Sequence, residues 1–124
     1  MKKVAFICVH NSCRSQIAEA IGKLIYPEKY EFYSAGSEIK NEINADAVRL
    51  VKEIYGVDMN RTQRPKLFED IPKPDIIISM GCGAVCPSVG GFDDDWGIPD
   101  PTGKSDDEFI KVIKMIENNI RAKL

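Results

Sequence analysis

A chain of 124 residues is expected to form one domain around one core, burying about two thirds of its unfolded surface. Its 17 Lys and Arg stand against 19 Asp and Glu for a formal charge of −2, with no basic cluster, which excludes nucleic acid and anionic membranes as main partners. The first apolar run is too short for a signal peptide and no stretch can span a membrane, so a cytoplasmic protein is expected. In a reducing compartment its four cysteines serve catalysis or metal binding rather than structural disulfides.

Residues 4–7 are an apolar run of strand character. The chain then passes through Cys8, Val9, His10, Asn11, Ser12, Cys13, Arg14 and Ser15 into a helical pattern that begins at Ile17, with apolar Ile17, Ala18, Ile21, Leu24 and Ile25. With five residues between Cys8 and Arg14, the loop can curl so that its N–H groups point inward and join the orphan amides of the helix's first turn. That is a cradle for a tetrahedral oxyanion. The same positive environment favours a thiolate at Cys8, where an unperturbed cysteine is only about 3% ionised at pH 7. Taken alone, Cys8 also reads as a buried strand cysteine.

The first helix should stop near Tyr26 and Pro27, and residues 30–35 have strand composition ending at Gly36. Residues 44–55 place Ala47, Val48, Val51, Ile54 and Tyr55 at helical spacing, with Asn44 as cap and Gly56 as stop. A polar turn over 60–65 leads into a short helical piece through Phe68, and residues 75–80 form a continuous apolar strand of the kind covered on both faces. The Gly- and Pro-rich stretch 81–91, carrying Cys82 and Cys86, reads as a mobile loop. Asp93, Asp94 and Asp95 read as a solvated acidic turn, with a metal site as the alternative. Trp96, Gly97 and Ile98 are expected to form a short last strand before the rigid Pro99, Asp100 and Pro101. Ser105 and Glu108 make a capping box for a final helix whose buried stripe is Phe109, Ile113, Ile116 and Ile120.

Strands alternating with helices predict a parallel α/β sheet with right-handed crossovers, and in such sheets ligands bind outside the carboxyl ends of the strands. Cys8, Cys82 and Asp100 follow the first, third and fourth strands, so all three should share one edge. Asp100 can there act as a general acid toward the oxygen that leaves when Cys8 attacks an oxyanion; the alternative is an ordinary Asp-Pro turn residue.

With Cys8, Arg14 and Ser15 in a Cys-x5-Arg-Ser loop near the N-terminus and an Asp-Pro in the last third, the chain resembles the low-molecular-weight phosphatase superfamily. The resemblance implies a single-domain four-stranded parallel sheet, order 2-1-3-4, with helices on both faces. Phosphatase members usually place aromatic residues after the Asp-Pro, where Thr102 and Gly103 stand here. Residues 11–16, the paired Cys82 and Cys86, and residues 96–101 instead resemble the arsenate reductases of that superfamily. By that resemblance Cys8 forms the arsenic adduct, Cys82 attacks Cys8 and releases arsenite, and Cys86 attacks Cys82. The resulting disulfide passes to thioredoxin or another thiol reductant.

Arg14 and the loop amides would hold the arsenate, with Ser12 and Cys13 in the same loop, Ser15 supporting Cys8 and Asn11 shaping the turn. No metal or organic cofactor is implied. Some arsenate reductases of this family hold potassium through residues matching Asn11, Glu19 and Ser34 plus a carboxylate, whose place Arg64 is expected to take with its own positive charge. Cys13 is expected to be structural and His10 a hydrogen-bonding or exposed residue. The rival readings are a tyrosine phosphatase, a zinc module built from the four cysteines, and a phosphocysteine carrier.

Overall fold

The structure, a computed structural model, describes residues 1–81 and 91–124. Four strands form one parallel sheet in the order β2-β1-β3-β4: β1 is Lys2–Ile7, β2 Tyr30–Ala35, β3 Ile76–Ser79 and β4 Asp94–Asp95. This is the expected topology. In the register, Ile7 at the end of the central strand lies beside Ala35 on one side and Ser79 on the other, so Cys8 leaves from the middle of the carboxyl edge.

Side chains alternate across β1, as the period of two requires. Val4 and Phe6 enter the main core, where Phe6 stacks on Phe32 at 5.9 Å between ring centroids and meets Trp96 at 5.5 Å. Helix α1 (Arg14–Ile25), α2 (Ala45–Tyr55) and α4 (Asp106–Lys123) close this face through Ile17, Ile21, Leu50, Val51, Phe109, Ile113 and Ile116. Ala5, Ile7 and Ala35 form the smaller core of the opposite face, under Phe68 and Ile71 at a 3-10 turn (Phe68–Asp70).

The local signals behave as their chemistry demands. Asn44 Oδ1 accepts from the Asp46 and Ala47 amides, Gly56 closes α2 in the left-handed region at φ 73°, and Ser105 Oγ accepts from the Glu108 amide at the start of α4. Several boundaries differ from the sequence reading.

Helix α1 begins at Arg14, three residues before Ile17, because the Ile17 amide already bonds to the Cys13 carbonyl; its Leu24 is exposed. In α2 Leu50 is buried alongside the expected Ala47 and Val51, while Ile54 faces solvent. Residues 60–62 are not a turn but part of a short helix α3 (Met59–Thr62), capped by the Asp58 side chain. The last strand is centred on Asp94 and Asp95 rather than on Trp96 to Ile98. At this sheet edge Asp93 Oδ2 takes the Ile77 amide and Asp94 Oδ2 the Trp96 indole N–H, so the acidic run is structural. The Trp96 and Ile98 amides still reach Ser79 and Met80, extending the pairing beyond β4.

Candidate functional site

Between β1 and α1 the chain turns through residues 8–13, and four successive carbonyls of that turn are bonded outward. Val9 O accepts from the Glu38 amide (2.9 Å), His10 O from the Lys40 amide (3.3 Å), Asn11 O from Gln16 Nε2 (3.1 Å) and Ser12 O from the Asn44 amide (2.7 Å). In a trans peptide the carbonyl and the following N–H point opposite ways. The amides of His10, Asn11, Ser12 and Cys13 are therefore turned toward the inside of the loop. Asn11 makes the reversal with φ 49°, a conformation asparagine tolerates better than most residues.

A pocket of about 320 Å³ opens there, lined by Cys8, Val9, His10, Ser12, Cys13, Arg14, Lys40, Asp100 and Thr102. Cys8 is 6% exposed at its floor. Arg14, buried in the first turn of α1, donates from Nη1 to the carbonyls of Ile98 (2.7 Å) and Met80 (3.3 Å), which fixes the guanidinium to the strand ends. Its Nε is buried with no hydrogen-bond partner among the described residues. An orphaned charged donor beside a ring of inward amides is what a bound oxyanion would satisfy.

Asp100 stands across this pocket. Burial pushes its carboxyl up, but the Thr102 hydroxyl and amide, with Arg14 and Lys40, outweigh this and hold it below the usual carboxylate range. Burial, with Asp100 nearby, pushes the Cys13 thiol up to about 12, so Cys13 stays protonated at neutral pH. His10 donates from Nδ1 to the Glu38 carbonyl at 3.1 Å, which fits its expected hydrogen-bonding role.

Asn11 and Ser15 do not line the pocket. They work behind it: Asn11 Nδ2 donates to Ser15 Oγ (2.8 Å), and Asn11 Oδ1 accepts from Gln16 Nε2 (3.0 Å) and the Lys66 amide (2.9 Å). Gln63 extends this chain by donating to Gln16 Oε1 at 2.8 Å. Cys82 and Cys86 lie outside the described residues.

The charge beside Glu19 comes from a different residue than expected. Lys66 Nζ stands 3.3 Å from Glu19 Oε1, which also accepts from Ser34 Oγ at 2.7 Å, while Arg64 turns its backbone carbonyl to Gln16 and Lys66. Burial lowers the Lys66 ammonium's pKa and Glu19 opposes that. With an ammonium beside this carboxylate, the residues do not fit a resident potassium ion.

Sequence reasoning missed Lys40 and Thr102. Lys40 arrives through the segment after β2, whose only sequence signal is polarity. Thr102 stands out in the sequence for the aromatic ring it lacks, and nothing local marks the carboxylate it holds.

The family model for low molecular weight phosphotyrosine protein phosphatase matches residues 3–124. Arsenate reductase 1 of Staphylococcus epidermidis is 38% identical over 116 residues, covering 90% of this chain and 86% of that protein. A solved arsenate reductase in the phosphate binding state superposes with a TM-score of 0.85 at 32% identity, covering 98% of this chain and 95% of the other. An arsenate reductase in oxidized state gives 0.83 at 29% identity, with the same coverage. With the Cys8 to Arg14 cradle, the 2-1-3-4 sheet and a family match across nearly the whole chain, this protein belongs to the low molecular weight phosphotyrosine protein phosphatase family.

Proposed function

We propose that this protein is an arsenate reductase. The observation that carries the reading is the inward ring of loop amides closed by the orphaned Nε of Arg14, with Cys8 at its floor. Arsenate seated there presents arsenic to the Cys8 sulfur. A sulfur–arsenic bond forms, and one arsenate oxygen departs as water after taking up a proton.

Asp100 is the candidate to move that proton. Its carboxyl is held low by Thr102, Arg14 and Lys40, and an oxyanion beside it raises its proton affinity, since like charges disfavour ionisation. Bound substrate thus makes it an acid.

Reduction of arsenic follows, with sulfur as the electron donor. The Cys82 thiolate attacks Cys8, the new S–S bond forms, and the electron pair of the sulfur–arsenic bond leaves with arsenic as arsenite. Cys86 then attacks Cys82 and frees Cys8. Arsenic gains two electrons and two thiols become one disulfide, which a dithiol reductant of thioredoxin type reopens. A relay that starts from reduced thiols suits the cytoplasm.

Phosphotyrosine hydrolysis is the second reading, supported by the family match. Against it, the described lining holds Lys40 and Thr102 and no Phe, Tyr or Trp to pack against a substrate ring. Arsenite release with thioredoxin and its reductase, compared with hydrolysis of an aryl phosphate, separates the two. The relay is tested by Cys86→Ser: one turnover with a Cys8 to Cys82 disulfide in peptide mapping is expected. Full multiple-turnover activity in that variant would rule out the three-cysteine path.

A further inference from the structure

Two hydrogen bonds converge on a single oxygen of Asp100: Thr102 donates to Oδ1 from its backbone amide at 3.0 Å and from its hydroxyl at 2.7 Å. Both residues line the pocket that holds Cys8 and Arg14. A threonine hydroxyl has one proton to give. Here that proton goes to Asp100 Oδ1, the same oxygen that the Thr102 backbone N–H reaches. The direction of the bond is therefore fixed: Thr102 O–H donates to Asp100 Oδ1.

We propose that Thr102 is a positioning residue for Asp100, occupying Oδ1 and leaving Oδ2 to serve the bound anion. The proposal rests on the reading of Asp100 as the group that moves the leaving-oxygen proton. It explains how a solvent-exposed carboxylate after a proline keeps one orientation, since each bond restricts the same oxygen.

The test compares wild type with Thr102→Val, which keeps the shape and loses the hydroxyl, and Thr102→Ser, which keeps the hydroxyl. Asp100 is followed by carboxyl-carbon NMR without substrate, its signal assigned by its loss in Asp100→Asn. In Thr102→Val the Asp100 midpoint should rise by roughly half to one pH unit, while Thr102→Ser stays at the wild-type value. The alkaline limb of kcat for arsenate should move up in the valine variant and not in the serine variant. Equal midpoints in all three proteins, or a serine variant displaced as far as the valine one, would overturn the proposal. Full activity in Asp100→Asn would remove the proton-transfer reading, and the NMR midpoints would still decide whether Thr102 positions the carboxylate.

Discussion

Gly36 ends β2 directly against the oxyanion loop. A Cβ placed there would lie 2.5 Å from the Val9 carbonyl oxygen, 2.8 Å from that of Cys8 and 3.0 Å from the Asn11 nitrogen. Ordinary contact begins near 3.4 Å, so strand and loop must separate by up to about 0.9 Å. Neither side can yield alone. Gly36 is held by its N–H to Lys66 O (2.9 Å) and its carbonyl to Phe68 N (3.3 Å), while Val9 O is held by Glu38 N (2.9 Å).

Gly36→Ala should therefore cost about 1 to 3 kcal/mol of stability. A displacement of this size at the cradle should cost about 100-fold in turnover. Phosphate, an unreactive mimic of arsenate, gives the direct readout: calorimetric titration should show its affinity falling at least 10-fold, about 1.4 kcal/mol. Gly22→Ala is the control, because its Cβ would meet the Phe32 ring at 2.7 Å, far from the loop. It should lose stability and keep phosphate affinity. A Gly36→Ala protein with wild-type phosphate affinity and turnover would refute the idea that this contact shapes the cradle.

Three further outcomes are expected. Exchanging potassium for sodium should leave activity and melting temperature of the wild type unchanged, because Lys66 already neutralises Glu19; a stabilisation specific to potassium would contradict this. Lys66→Met should cost about 2 kcal/mol in urea unfolding, below the usual range for breaking a buried pair because Lys23 still reaches Glu19 Oε2. Tyr55→Phe should remove the 2.6 Å bond from Tyr55 to Glu117 and cost about 1 kcal/mol near pH 7. That bond holds Glu117 below its usual range, so the stability it adds is present above the unfolded carboxylate pKa and lost as pH falls through the folded one. The difference between wild type and Tyr55→Phe should accordingly close in acid, read from unfolding at pH 7 and pH 3.

What could be read from the chain alone was whatever depends on local rules. The strand, loop and helix around Cys8, the Asn44 and Ser105 caps and the Gly56 stop each follow from neighbouring residues. The last strand was misplaced because Trp96 and Ile98 look like strand residues, whereas pairing with β3 is set by backbone contacts of Asp94 and Asp95 that hydrophobicity does not encode. The origin of the positive charge at Glu19 was missed for a similar reason. Arg64 and Lys66 are two residues apart, and only the tertiary path of 63–67 decides which one turns inward. Lys40 and Thr102 reach the pocket from segments 32 and 94 residues after Cys8, a convergence with no local signature.

The four outward-bonded carbonyls of the loop also set the kinetics of anion capture. Their partners at Gln16, Glu38, Lys40 and Asn44 organise the ring of amides during folding, before any anion arrives. Little ordering is left for the encounter itself, so binding should proceed in one fast phase, limited by collision and by expulsion of solvent. The loop is consequently a poor candidate for transplantation as an eight-residue peptide. Its shape is written in the stretch from Gly36 to Asn44 as much as in its own residues.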